Sequence, residues 1–172
     1  MQQRSRKKSG KLILSYITAI PFAVSRLANN VDRWTDVLVA NSGISGPMVK
    51  IVDANGPRPL DEITKNLWET SYEETVASHG VNVTSTQYLV AAFLPLMDAA
   101  NKRRPQPPTQ ANFKPRPQII TTASVAAWSR LPMGNLSYGP SKAALVQMTK
   151  ALASILAPHQ IRANCKIGRA HV

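Results

Sequence analysis

The sequence predicts an α/β domain built on a parallel sheet. Three observations carry this: short apolar runs that end on small polar residues, long helical patterns between them, and the regular alternation of the two. With 172 residues and 44% hydrophobic content, the chain has enough apolar material for one core.

The elements follow in order. Residues 1–21 are expected to form a poorly ordered basic leader. Its stretch from Leu12 to Val24 follows a charged start and has the outline of a signal peptide, but we read it as part of a core element. Phe22, Val24, Leu27 and Val31 fall near helical spacing and predict a helix over 22–34. Asp36-Val37-Leu38-Val39-Ala40 is an apolar run ending in Asn41-Ser42-Gly43, which reads as a buried strand entering a turn. Gly46, Pro47, Gly56, Pro57 and Pro59 make residues 45–60 a loop. A short helix is expected from Asp61 through Trp68.

Residues 71–98 carry an amphipathic pattern in Val76, Val83, Tyr88, Leu89, Ala92, Phe93 and Leu96, with Pro95 near its end or kinking it. Residues 101–117 hold five prolines among basic residues and glutamines, the composition of a surface loop. Pro117 to Ser124 is a β-branched strand. Ala143, Ala144, Leu145, Met148, Leu152 and Leu156 predict a helix over 138–157, and Pro158 stops it. Ile161-Arg162-Ala163-Asn164-Cys165 begins another strand.

Composition excludes several classes. One cysteine, Cys165, rules out a disulfide framework and a cysteine-rich metal site. His79, His159 and His171 show no ligand spacing, so no metal is expected. No run of about 18 apolar residues predicts a membrane helix, and the absence of disulfides points to a cytoplasmic protein. The net charge is +12. Arg4, Arg6, Lys7, Lys8, Lys11, Lys102, Arg103, Arg104, Lys114, Arg116, Lys166 and Arg169 account for all of that excess. They lie at the ends and in one loop, not on a folded face interleaved with aromatics, so no specific nucleic-acid partner is expected.

The chemistry centres on Tyr138-Gly139-Pro140-Ser141-Lys142. Residues four apart on a helix share a face. An ammonium beside a phenol favours the phenolate, which fits a tyrosine to move a proton to or from a carbonyl or alcohol. Taken alone, the spacing also fits an exposed helix face. Context narrows it. A strand ends at Ser124, fourteen positions upstream, and a helix continues through Ala143-Ala144-Leu145.

Residues 31–164 resemble the short-chain dehydrogenase/reductase family. The resemblance rests on four motifs in order: Ala40-Asn41-Ser42-Gly43, Val81-Asn82-Val83, Ile119 to Ala127 with Ser124, and Tyr138 to Lys142 followed by Ile161-Arg162-Ala163-Asn164. It implies an incomplete Rossmann-type doubly wound parallel sheet with flanking helices over 22–165. It implies an NAD or NADP cofactor, a small-molecule alcohol or carbonyl substrate, and a homo-oligomer in the full-length form through the helices carrying Asn82 and Tyr138. Tyr138 would be the general acid and base. Lys142 would stabilise its phenolate and hold the nicotinamide ribose. Ser124 would bond the substrate oxygen, and Asn82 would support a water and proton relay. Asn41 and Gly43 would pack beside the cofactor.

The pattern breaks at both ends. The family's glycine-rich turn, Thr-Gly-x-x-x-Gly-x-Gly, which binds pyrophosphate through backbone amides, is not in the chain. Gly10 is the only glycine before Gly43. No Pro-Gly follows Asn164, and residues 166–172 are expected to be a non-native tail. Ile167 to Val172 can be back-translated as a string that resembles a sequencing-library adapter. The first expectation is therefore a fragment of an NAD(P)-dependent oxidoreductase interconverting an alcohol and a carbonyl, with catalysis by this chain left open. The alternative is a non-catalytic α/β binding protein that keeps the core.

Overall fold

The computed structural model describes residues 34–49, 56–104, 115–131 and 136–167. The leader at 1–21, the helix expected at 22–34 save Trp34, the middle of the proline-rich loop and residues 168–172 lie outside them. The described elements are β1 (Val37–Ala40), α1 (Leu60–Trp68), α2 (Tyr72–His79), a π-helical turn (Gly80–Thr84), α3 (Ser85–Lys102), β2 (Gln118–Ala123), α4 (Tyr138–Leu156) and β3 (Arg162–Ile167). Short 3₁₀ turns at Val125–Ala127 and Ala157–His159 follow β2 and α4.

The three strands form one parallel sheet in the order β1-β2-β3. Ala40 lies opposite Thr121, and Thr121 opposite Cys165. Strand β3 continues its pairing as far as Ala123 with Ile167, so Lys166 and Ile167, the first residues of the expected tail, pair in the sheet.

The core sits on one face of the sheet. Leu38, Ile119 and Ile161 meet Val90 and Met97 of α3 and Leu156 of α4. On the other face of β1, Val37 and Val39 are exposed. Burial of an aliphatic or methionine side chain contributes roughly 1.5–3 kcal/mol, so this cluster holds the helices to the sheet. Helix α4 buries Leu145 and Leu156 as its pattern predicts, while Ala144 faces solvent. Of the residues in the helical pattern over 71–98, Leu96 is buried and Leu89 and Phe93 pack against the core as expected, whereas Val76 and Tyr88 are exposed, and Val90, Met97 and, beyond the pattern, Ala100 are buried as well. A π turn separates Val76 from the rest of the pattern. One extra residue per turn rotates everything after Gly80 relative to the pattern before it.

Two expectations need correction. The long helix runs to Lys102 with Pro95 inside it, which removes the first of the two places expected for Pro95, near the helix end. The loop expected over 101–117 therefore begins later. Arg104 is buried, donates from Nη2 to Asp36 Oδ1 at 3.1 Å, and from Nε to Asn101 Oδ1 at 3.1 Å. Arg103 stacks on Trp34, 3.7 Å from the ring centre. Basic composition suggested solvent, but these guanidiniums fasten the helix end to the chain entering β1. Among the described residues no helix is long and apolar enough to cross a membrane.

Candidate functional site

The predicted residues gather at the carboxyl ends of the strands, where open parallel sheets place their ligands. Asn41 directly follows β1 and is exposed. Ser124 directly follows β2. Its Oγ accepts from Ala126 N at 3.2 Å and caps the 3₁₀ turn. Among the described residues no acceptor takes its hydroxyl proton, which leaves a donor at the strand end. Gly139 brings the first turn of α4 onto this 3₁₀ turn. A Cβ on Gly139 would stand 2.9 Å from the Ala126 carbonyl oxygen, so only glycine permits the approach that sets Tyr138 beside the β2 end.

Lys142 reaches back from α4 to the sheet. Its Nζ donates to the Thr122 carbonyl at 2.8 Å and lies 5.8 Å from the centre of the Tyr138 ring. The side chain is 3% exposed. Burial pushes its ammonium below the ordinary lysine range, while the Cys165 thiol acts in the opposite direction. Gly43 covers the same ammonium. A Cβ there would lie 3.0 Å from Lys142 Nζ and 3.1 Å from Asn82 Oδ1. The bare backbone of Gly43 therefore lets a loop close over the lysine.

Asn82 sits in the π turn and is fully buried. Its Nδ2 donates to the Ile44 carbonyl at 2.9 Å and to Ser141 Oγ at 2.8 Å, and its Oδ1 accepts from Ile44 N at 2.8 Å. Both amide protons are thus used. The side chain therefore has no donor left for a water, and the main-chain carbonyl of Asn82 and the second acceptor site of Oδ1 are what the residue can offer. That carbonyl also accepts from Thr86 Oγ1 at 3.4 Å.

Sequence reasoning missed Ser141, Ile44, Gly46 and Gly139. Gly46 has φ +76, and a Cβ on it would collide with Ser137 Oγ. A cleft of about 230 Å³ opens on the flank of Tyr138, lined also by Ala126, Ala127, Ser129, Arg130, Leu131, Leu136, Gly139, Pro140 and Ala143. Ser124, Lys142 and Asn82 do not line it. It borders Tyr138 and leaves out the other predicted site residues.

Comparison with known proteins bears on the family and the fold. A family model described as enoyl-(acyl carrier protein) reductase matches residues 19–166. The short-chain dehydrogenase/reductase PhomF' of Diaporthe leptostromiformis is 36% identical over 145 residues, covering 82% of this chain and 46% of the relative. Among solved structures, the NADP complex of RhlG from Pseudomonas aeruginosa superposes with a TM-score of 0.62 at 24% identity, covering 90% of this chain and 50% of that one. An NAD+-bound xylitol dehydrogenase gives 0.63 at 21% identity, covering 90% and 48%. Both likenesses are of fold. The chain spans about half the length of the curated relatives it matches.

Proposed function

The chain belongs to the short-chain dehydrogenase/reductase family, and from that premise we propose that Tyr138 is the proton donor and acceptor in an NAD(P)-dependent interconversion of an alcohol and a carbonyl. The observation that carries the reading is the Tyr138–Lys142 pair, anchored to the end of β2 through the Thr122 carbonyl.

The donor set fits the nicotinamide end of such a cofactor. Lys142 spends one of its three protons on Thr122, which leaves others for ribose hydroxyls. Gly43 and Asn41 offer a surface free of bulky side chains above it. When bound, the cofactor supplies or accepts a hydride. In reduction, Tyr138 gives its phenolic proton to the carbonyl oxygen, Ser124 donates a hydrogen bond to that oxygen, and Lys142 stabilises the phenolate left behind. In oxidation the same groups act in reverse. The alternative of a non-catalytic α/β core has no observation of its own, because the polar groups at the strand ends are those a proton transfer needs.

The test is the absorbance of reduced nicotinamide with a panel of ketones and alcohols. Turnover that disappears in Tyr138→Phe is the expected result. Turnover that survives that substitution would remove Tyr138 from the chemistry.

A further inference from the structure

We infer that Ser141 is a positioning residue for Tyr138, with its hydroxyl fastening the first turn of α4 to the Asn82 amide and so to the loop after β1. This rests on the proton-transfer role proposed above for Tyr138.

Counting protons fixes the direction of every bond. A serine hydroxyl has one proton and two acceptor sites. Ser141 gives its proton to the Tyr138 carbonyl at 2.7 Å. It can then only accept from Asn82, whose Nδ2 lies at 2.8 Å. The two ends of an amide look alike in shape, but Ile44 tells them apart. Its N–H meets Oδ1 and its carbonyl meets Nδ2. Turning the amide over would set two oxygens against each other and two N–H groups against each other. The chain therefore runs one way, from Ile44 through Asn82 and Ser141 to Tyr138.

Both side chains in the middle of this chain are 0% exposed. Water cannot replace a lost partner cheaply there, and a buried donor left alone carries its full desolvation cost. The loop held by Asn82 also carries Gly43, which covers Lys142 Nζ. One hydroxyl thus ties the tyrosine's turn, the amide and the cover over the lysine into a single unit. Thr149 on the same helix provides the contrast. Its buried hydroxyl meets Thr121 Oγ1 at 2.8 Å in the core and has no link to this chain.

The test uses the full 172-residue chain in four forms: unchanged, Ser141→Ala, Ser141→Thr and Thr149→Val. Amide exchange by NMR is read at Ile44 N–H and at the Asn82 side chain, and reduced nicotinamide mononucleotide serves as the probe ligand. Ser141→Ala is expected to speed exchange at both positions about tenfold beyond Thr149→Val at matched global stability. It should also weaken probe binding several-fold, and Ser141→Thr should restore both. Equal exchange in Ser141→Ala and Thr149→Val would overturn the inference, as would a threonine variant no better than alanine. If exchange follows the expectation but the unchanged chain ignores the probe, the hydroxyl lock stands and the proton-transfer reading falls.

Discussion

Burial of Lys142 makes stability depend on pH in a direction that can be worked out. Its folded-state pKa is lowered, chiefly by desolvation, while the unfolded chain keeps the ordinary value of about 10.4. Between the two values the unfolded state binds more protons, so stability rises with pH through that window. The cost of burying the charge is fully present below the lowered value and gone above the ordinary one. Lys142→Met removes this slope. Urea unfolding at neutral and alkaline pH should show the natural chain gaining on the variant as pH rises, and a pH-independent difference would contradict it. Gly46 makes a second prediction. Its left-handed backbone and the collision of any Cβ with Ser137 Oγ should make Gly46→Ala cost about 1–3 kcal/mol, read as a fall in unfolding midpoint. Not all of these residues were legible beforehand. Tyr138, Lys142, Ser124 and Asn82 belong to motifs with fixed spacing. Ser141, Ile44 and Gly46 act through contacts that no local pattern encodes, since Asn82 meets Ile44 38 positions away and Ser141 59 positions away.

Elements were legible where one face alternates cleanly. β2 buries every second residue from Ile119 to Ala123, and its bounds differ from the expected strand by one residue at each end. The helical run after Ser71 was legible as helix, and Leu89, Phe93 and Leu96 meet the core as expected, but Val76 and Tyr88 do not. Gly80 and the β-branched Val81 and Val83 weaken the α geometry, and the buried amide of Asn82 holds the widened turn through Ile44. Periodicity cannot show a phase shift of that kind. The end of α3 was missed for an electrostatic reason. Arg103 and Arg104 look like loop residues by composition, yet they bind Trp34 and Asp36 across the start of the sheet. Arg104→Ala should therefore destabilise the chain by about 1–2 kcal/mol. That is less than a fully buried pair would cost, because the Asp36 side chain is 56% exposed and partly screened by water. Chemical unfolding is the measurement. A change within about 0.3 kcal/mol would place Arg104 among ordinary surface residues.

At the scale of the whole molecule, the function proposed above would give this chain one half of what a dinucleotide requires. Asn41, Gly43, Tyr138 and Lys142 lie at the strand ends, and they are the groups proposed above to meet a nicotinamide and its ribose. The 172 residues contain no Thr-Gly-x-x-x-Gly-x-Gly turn to cradle a pyrophosphate. Such a turn supplies several charge-assisted hydrogen bonds of roughly 1.5–3 kcal/mol each, and every 1.4 kcal/mol or so is tenfold in affinity. A protein that holds both ends should therefore lose orders of magnitude when the dinucleotide is cut to the mononucleotide. This chain should lose little. Calorimetry with NADH, NADPH and reduced nicotinamide mononucleotide is expected to give three affinities within about fivefold of one another, all weak, since one fivefold step is only about 1 kcal/mol. The comparison is internal, so it does not depend on the absolute affinity of the nicotinamide end. Either dinucleotide binding a hundredfold more tightly than the mononucleotide would show that the adenosine and pyrophosphate find a grip in this chain that the glycine-rich turn does not provide. Positioning would then be in place for turnover, and the basic residues outside the described regions would be the first to substitute.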